Sequence, residues 1–113
     1  MIKMELDFSK MTEFQKKVLS ITKKIPKGKV ATYGLIAEII GNKSYRAVGN
    51  ALNKNPYPIK IPCHRVVKSD GKVGGFAKGT EYKEKLLRNE QIEIHNGKIE
   101  LHKYLVSKDI LLK

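Results

Sequence analysis

"KVATYGLIAEIIGNKSYRAVGNALNK", residues 29–54, is the stretch on which the fold turns. Thr32 can cap a short helix carrying Leu35, Ile36, Ile39 and Ile40, with Gly41 as its stop. Ser44 opens a second helix whose Ala47, Val48, Ala51 and Leu52 can face inward. Two short helices joined by Gly-Asn-Lys suggest a helix-turn-helix. Any αα-hairpin of a small bundle fits the same pattern, but Lys43, Arg46 and Lys54 flank the second helix and favour a polyanionic partner.

Upstream, "TEFQKKVLSITKKIPKG" reads as a helix. Thr12 and Gln15 have capping-box spacing, and Phe14, Val18, Ile21 and Ile25 form one apolar stripe that Pro26 and Gly28 close. Downstream, "NPYPIKIP" is barred from helix by Pro56, Pro58 and Pro62 and must cross the molecule extended. "CHRVVKSDGKVGGF" reads as a short strand, an Asp-Gly turn and a return strand. Thr80 is placed to cap a last core helix, "EYKEKLLRNE". "IEIHNGKIEL" alternates apolar and polar residues about Asn96-Gly97, which predicts a C-terminal β-hairpin. The tail "HKYLVSKDILLK" has apolar residues to bury, and the pattern assigns them no site. The fold class expected is mainly α with short β elements, a winged helix-turn-helix. One domain is expected over 1–113, with its core at about 12–90.

The totals agree with one compact domain: 113 residues, 23 Lys and Arg against 11 Asp and Glu, and a formal net charge of +12. That excess attracts polyanions, nucleic acid first, although a generic basic protein has the same balance. A single cysteine forms no internal disulfide and points to a reducing compartment. His64, His95 and His102 lack metal-site spacing, so neither metal nor cofactor is expected. No apolar run approaches membrane-spanning length and the N-terminus does not read as a signal peptide, so the expected location is cytoplasmic, away from membranes.

The lone Cys63 would ordinarily be a small buried hydrophobe. Its setting, "IPCHRV", suggests more. Pro62 fixes the backbone before it, and the basic neighbours His64 and Arg65 would favour the thiolate, which is the nucleophilic form. Adjacent residues on a strand face opposite ways, so His64 needs a bent backbone or a water to reach the sulfur. A protease-like Cys/His pair would need an oxyanion hole as well, and a basic helix-turn-helix is an odd scaffold for peptide hydrolysis.

"PCHRV" at 62–66, with "GKVATYGLIAEIIG" and "RAVGNALNKNPYPIKI" before it and "GKVGGF" and "KEKLLRNE" after it, closely resembles the O6-alkylguanine-DNA alkyltransferase family (methylated-DNA–protein-cysteine methyltransferases). The resemblance runs from about Phe14 to Glu90. It implies direct-reversal DNA repair. A methyl or alkyl group passes irreversibly from O6 of guanine, with O4 of thymine as a further target, to Cys63. The recipient is double-stranded DNA, approached through the minor groove by a monomer after base flipping.

The resemblance also implies roles for individual residues. His64, through a water, accepts the thiol proton, and Glu90 orients His64. Asn55 braces the turn before the active site. Tyr33 donates its hydroxyl to the flipped guanine. Arg46 fills the space left by the flipped nucleotide, while Lys43, Ala47, Gly49 and Asn50 belong to the DNA-binding surface. Pro62, Val66, Gly74, Gly75, Phe76 and Ala77 form the alkyl pocket. Phe76 stands where tyrosine is usual, so the wall keeps its apolar ring without a hydroxyl. The additional N-terminal domain of most members is expected to be absent, since about a dozen residues precede the first helix. Two other readings compete. A lesion-binding alkyltransferase-like protein would not need a reactive thiol, and such proteins usually have tryptophan at the Cys63 position. A winged-helix transcription regulator gives no reason for "IPCHRV".

Overall fold

The computed structural model describes residues 11–41, 44–57, 59–76 and 78–113; Lys43 and Ala77 therefore lie outside the described residues. Helix α1 spans Glu13–Thr22. Its capping box forms in full: Thr12 Oγ1 accepts from Gln15 N at 3.1 Å, and Gln15 Oε1 accepts from Thr12 N at 2.9 Å. The helix stops short of Pro26, yet Ile25 is still buried. Strand β1, Ala31–Thr32, leads directly into α2, Tyr33–Ile40, where Thr32 Oγ1 accepts from Leu35 N at 3.0 Å. Gly41 ends α2 at φ 84°, a left-handed cap that glycine adopts without steric cost. Helix α3, Tyr45–Asn53, is capped by Ser44 Oγ.

The three helices share one core built from Val18, Leu19, Ile21, Ile36, Ala37, Val48, Ala51 and Leu52. Fully burying an apolar side chain such as Leu19 or Ile36 contributes about 1.5–3 kcal/mol. The second core holds Val30, Val67, Val73, Leu87, Ile92, Ile94 and Ile99. Between them lies a two-stranded parallel sheet, β1 against β2 (Val66–Val67), with Ala31 opposite Val66 and Thr32 opposite Val67. The strand alternation divides the cores: Ala31 and Val66 belong to the first, Val30 and Val67 to the second. The fold is thus mainly helical with short β elements, as the sequence predicts.

Three local expectations are corrected. The hairpin read over residues 63–76 does not form. Cys63–Arg65 is one turn of 3-10 helix, and β2 pairs with β1 instead of a return strand. The Asp-Gly reversal is real, with Lys68 N donating to Lys72 O at 2.9 Å, but the chain beyond it pairs with residues 97–99. The C-terminal hairpin is reduced to its turn. Asn96 and Gly97 take φ 52° and 74°, and His95 and Lys98 exchange backbone hydrogen bonds at 2.9 and 3.0 Å. Its arms then part: Ile99 N donates to Gly71 O at 2.8 Å and Val73 N to Gly97 O at 2.9 Å, because Ile92, Ile94 and Ile99 all bury in the second core. Finally, Thr80 does not cap α4 (Thr80–Asn89). Gly79, at φ 99°, is the cap residue and Thr80 the first helical one.

The tail finds its site by long-range contact. After the short α5, Leu101–Tyr104, Val106 N donates to Val30 O at 2.8 Å. Helix α6, Lys108–Leu112, then brings Leu111 into the first core. Among the described residues no helix is long and apolar enough to cross a membrane.

Candidate active site

Cys63, His64 and Arg65 sit on one 3-10 turn, which spaces successive side chains by about a third of a turn. The bend that a strand would have denied His64 is therefore supplied by the backbone itself. Cys63, 9% exposed, lines a small cavity of about 50 Å³ with Tyr33, Asn55, Gly75 and Phe76. A wider cleft of about 290 Å³ shares Tyr33, Asn53, Gly75 and Phe76 and reaches Gly49 of α3. Phe76 is steadied by the ring of Tyr82, at 6.1 Å between centroids.

His64 is 1% exposed, and its Nε2 lies 2.9 Å from Glu90 Oε2. Glu90 caps the C-terminus of α4. Arg65 grips the same carboxylate twice, Nε to Oε1 and Nη2 to Oε2, both at 2.8 Å, and its Nη1 donates to Ile25 O at 2.7 Å. Burial alone would push the Glu90 carboxyl up, but the Arg65 and His64 hydrogen bonds more than offset it and hold the group below its ordinary range. Glu90 is therefore an acceptor, and Nε2 carries the imidazole proton. Nδ1 keeps the lone pair; it is buried and makes no hydrogen bond among the described residues. Burial holds the His64 imidazole below its usual value despite Glu90, so at neutral pH it is a neutral base.

The thiol departs from expectation. Arg65 is committed to Glu90 and does not favour the thiolate. Burial pushes the Cys63 thiol up, opposed by the Asn55 side chain and the charge of Lys83. The sulfur at rest is a protonated thiol with a neutral imidazole as its sequence neighbour.

Asn55 ties the loop before Cys63 together, its Nδ2 donating to Ile61 O at 3.0 Å and its Oδ1 accepting from Tyr57 N at 2.8 Å. Tyr33, the first residue of α2, projects between the glycines: a Cβ on Gly49 would stand 3.9 Å from its Cε1, and one on Gly74 3.6 Å from its Oη. Of the residues expected in the alkyl pocket, Gly75 and Phe76 line the cavity, Gly74 abuts Tyr33, and Pro62 and Val66 are buried. On α3, Arg46 and Asn50 are exposed, Ala47 and Gly49 half-buried.

Sequence reasoning missed Lys83. Its side chain is 1% exposed, and Nζ donates to Val66 O at 2.7 Å, Gly75 O at 3.2 Å and Tyr33 Oη at 3.4 Å. An ammonium only donates, so Tyr33 Oη accepts from it and is free to direct its own proton elsewhere. Burial brings the Lys83 pKa down to about 8. The signal was present: Lys83 lies four residues before Leu87, on the inward face of α4.

The family model for the DNA-binding domain of 6-O-methylguanine DNA methyltransferase matches residues 13–92. The chain belongs to that family. It is 54% identical over 80 residues to a methylated-DNA–protein-cysteine methyltransferase of Methanosarcina acetivorans, covering 70% of this chain and 51% of that one. The crystal structure of O6-methylguanine-DNA methyltransferase from the archaeon Pyrococcus kodakaraensis superposes with a TM-score of 0.70 at 47% identity, over 78% of this chain and 52% of that one. S. pombe Atl1, solved with damaged DNA containing O6-carboxymethylguanine, superposes with a TM-score of 0.76 at 31% identity, over 92% of this chain and 99% of that one. The chain spans about half the length of the curated relatives it matches.

Proposed function

We propose that the protein repairs DNA by moving an alkyl group from O6 of guanine to Sγ of Cys63, once per molecule. The observation that carries this reading is the hydrogen-bonded series Arg65–Glu90–His64 beside a thiol that opens on a cavity bounded by Tyr33. It supplies a nucleophile, a base and an orienter. His64 Nδ1, through a water, takes the thiol proton as the Sγ–C bond forms and the C–O6 bond breaks. Tyr33 delivers a proton to the departing guanine, so that a neutral base leaves rather than an anion. Return of a proton from the His64 imidazolium to Tyr33 through solvent closes the balance, so that overall sulfur exchanges its hydrogen for the alkyl carbon and guanine gains one hydrogen. A thioether is a poor leaving group, and nothing among the described residues regenerates the thiol.

The cavity of about 50 Å³ suits the alkyl group, and the wider cleft of about 290 Å³ suits the base that carries it. Both require the nucleotide to leave the duplex. Helix α3 would enter the minor groove, where Ala47 and Gly49 permit close approach and Arg46 occupies the space the nucleotide vacates. Asn50 completes that surface on the exposed side of the helix.

A second reading, a lesion-binding protein without transfer, is favoured by the match to nearly the whole of S. pombe Atl1. Cys63 with its base and orienter separates the two. Incubation with a duplex containing O6-methylguanine, followed by digestion and peptide mass mapping, should find S-methylcysteine at position 63. Tight lesion binding with an unmodified Cys63 would support the second reading and reject the first.

A further inference from the structure

Tyr33 lines two cavities of different character. One holds Cys63; the other, about 340 Å³, is lined by Tyr33, Tyr45, Lys68, Ser69 and Asp70 and has no part in the chemistry above. Its walls are drawn together by two missing side chains. A Cβ on Gly34 would come within 2.9 Å of Ser69 Oγ, and one on Gly74 would lie 3.5 Å from Lys68 Cγ as well as against Tyr33. Gly74 also takes φ 82°, where other residues are strained. At the rim Tyr45, the first residue of α3, leaves a large aromatic ring 60% exposed, directly before Arg46. The lining thus combines a cation, a hydroxyl and an unburied ring. Its one acid, Asp70, spends Oδ1 on the loop, accepting from Lys72 N at 3.0 Å.

We propose that this second cavity seats the sugar–phosphate link flanking the extruded nucleotide, with Lys68 Nζ and Ser69 Oγ as phosphate donors and the Tyr45 ring as the wall against the deoxyribose. The inference rests on the repair reading. A nucleotide whose base reaches Cys63 must carry its backbone past Tyr33, and Tyr33 is the residue that the Cys63 cavity and this one share. A phosphodiester suits the donors, since an ammonium and a hydroxyl both give hydrogen bonds to an anion. The sugar face suits Tyr45, whose ring loses water-exposed apolar area only when something covers it. Tyr45 and Arg46 then act in sequence at one helix start, the arginine in the vacated stack and the tyrosine beside the displaced backbone.

The test uses the whole chain and O6-methylguanine duplexes in which one phosphate at a time around the lesion is a neutral methylphosphonate. Single-turnover rates are read for wild type, Lys68→Gln, Tyr45→Phe and Tyr45→Ala. One methylphosphonate next to the lesion should slow the wild type by about tenfold, in line with a hydrogen bond to a charged group. The same substitution should slow Lys68→Gln little further, because the contact is already gone. Tyr45→Ala should fall several-fold on duplex, and Tyr45→Phe, which keeps the ring, should lose clearly less than Tyr45→Ala. Every variant should lose much less with free O6-benzylguanine, which has no backbone. Independent losses for Lys68→Gln and every methylphosphonate, an undiminished Tyr45→Ala, or equal losses on duplex and free base would each overturn the proposal. A wild type that alkylates Cys63 with neither substrate would reject the repair reading instead, and duplex affinity measured on the same methylphosphonate series would then decide the seat by itself.

Discussion

The turn carrying Cys63 and the helix start carrying Arg46 are built on opposite principles. Around Cys63 the polar groups are locked: His64 and Arg65 converge on one carboxylate, Arg65 ties back to Ile25, and Lys83 fastens Val66, Gly75 and Tyr33 together. Along α3 the side chains of Tyr45, Arg46 and Asn50 stand in solvent. Chemistry on sulfur needs groups whose geometry is fixed before the substrate arrives. Contact with a duplex needs groups still hydrated and unspent, because their energy must be released on binding. The two regions meet at Tyr33, which lines both the Cys63 cavity and the one beside Tyr45.

That contrast predicts where damage is severe and how it combines. In the locked region, His64→Gln should slow alkyl transfer by roughly a hundredfold or more, the usual contribution of a positioned base. Glu90→Gln should lose less. The double variant should lose less than the product of the two single effects, because the groups act as one unit. Single-turnover rates on duplex and free base would check this, and both substrates should suffer equally. Independent effects would dissolve the unit.

In the open region the loss should depend on the substrate. Arg46→Ala is expected to slow duplex repair by roughly tens of fold, reflecting the few kcal/mol of unstacking it no longer offsets. Free O6-benzylguanine, which needs no extrusion, should be affected far less. Arg46→Lys should rescue poorly, since an ammonium lacks the planar stacking surface. Equal losses on both substrates would move Arg46 into the scaffold and erase the contrast.

The smallest effect is on stability and is confined to the locked region. Glu90 and His64 both titrate below their ordinary values in the folded chain. As pH falls, the unfolded chain therefore takes up their protons first, beginning near the ordinary histidine value of about 6.5 and again near that of glutamate, about 4.3. The stability these two groups contribute should be full above the upper of these and decline through each. Urea midpoints measured against pH should show the decline, and Glu90→Gln should flatten its lower limb. An acid limb unchanged in Glu90→Gln would deny the carboxylate its fixed partners.

Much of this was legible in the residues, and what was not has identifiable causes. Caps announced the helices: Thr12 with Gln15, Thr32, Ser44 and Gly41 all sit where the sequence puts them. Short-range signals end there. Strands of two residues carry no period, so the pairing of Ala31 with Val66 could not be read. The Asn96-Gly97 turn was legible because it is local. The partners of its arms were not, because residues 71–73 lie well away in sequence. The same holds for the tail, which Val30 and α1 capture. In the site, the motif marked Cys63, His64 and Glu90, but polarity hid Lys83, a charged residue in a core position whose three acceptors appear only once the chain is folded. Arg65 was misread for a related reason: its charge is visible in the sequence, its commitment to Glu90 is not.

The central claim is stoichiometric transfer to one sulfur, and one titration reaches it most directly. A fixed amount of protein is given increasing O6-methylguanine duplex, and both the repaired guanine and the intact protein mass are counted at completion. The account predicts a plateau at one guanine repaired per molecule, with each chain heavier by one methylene and Cys63→Ser unmodified though still bound to DNA. Repair continuing past one equivalent, or a Cys63→Ser protein that repairs at all, would contradict it.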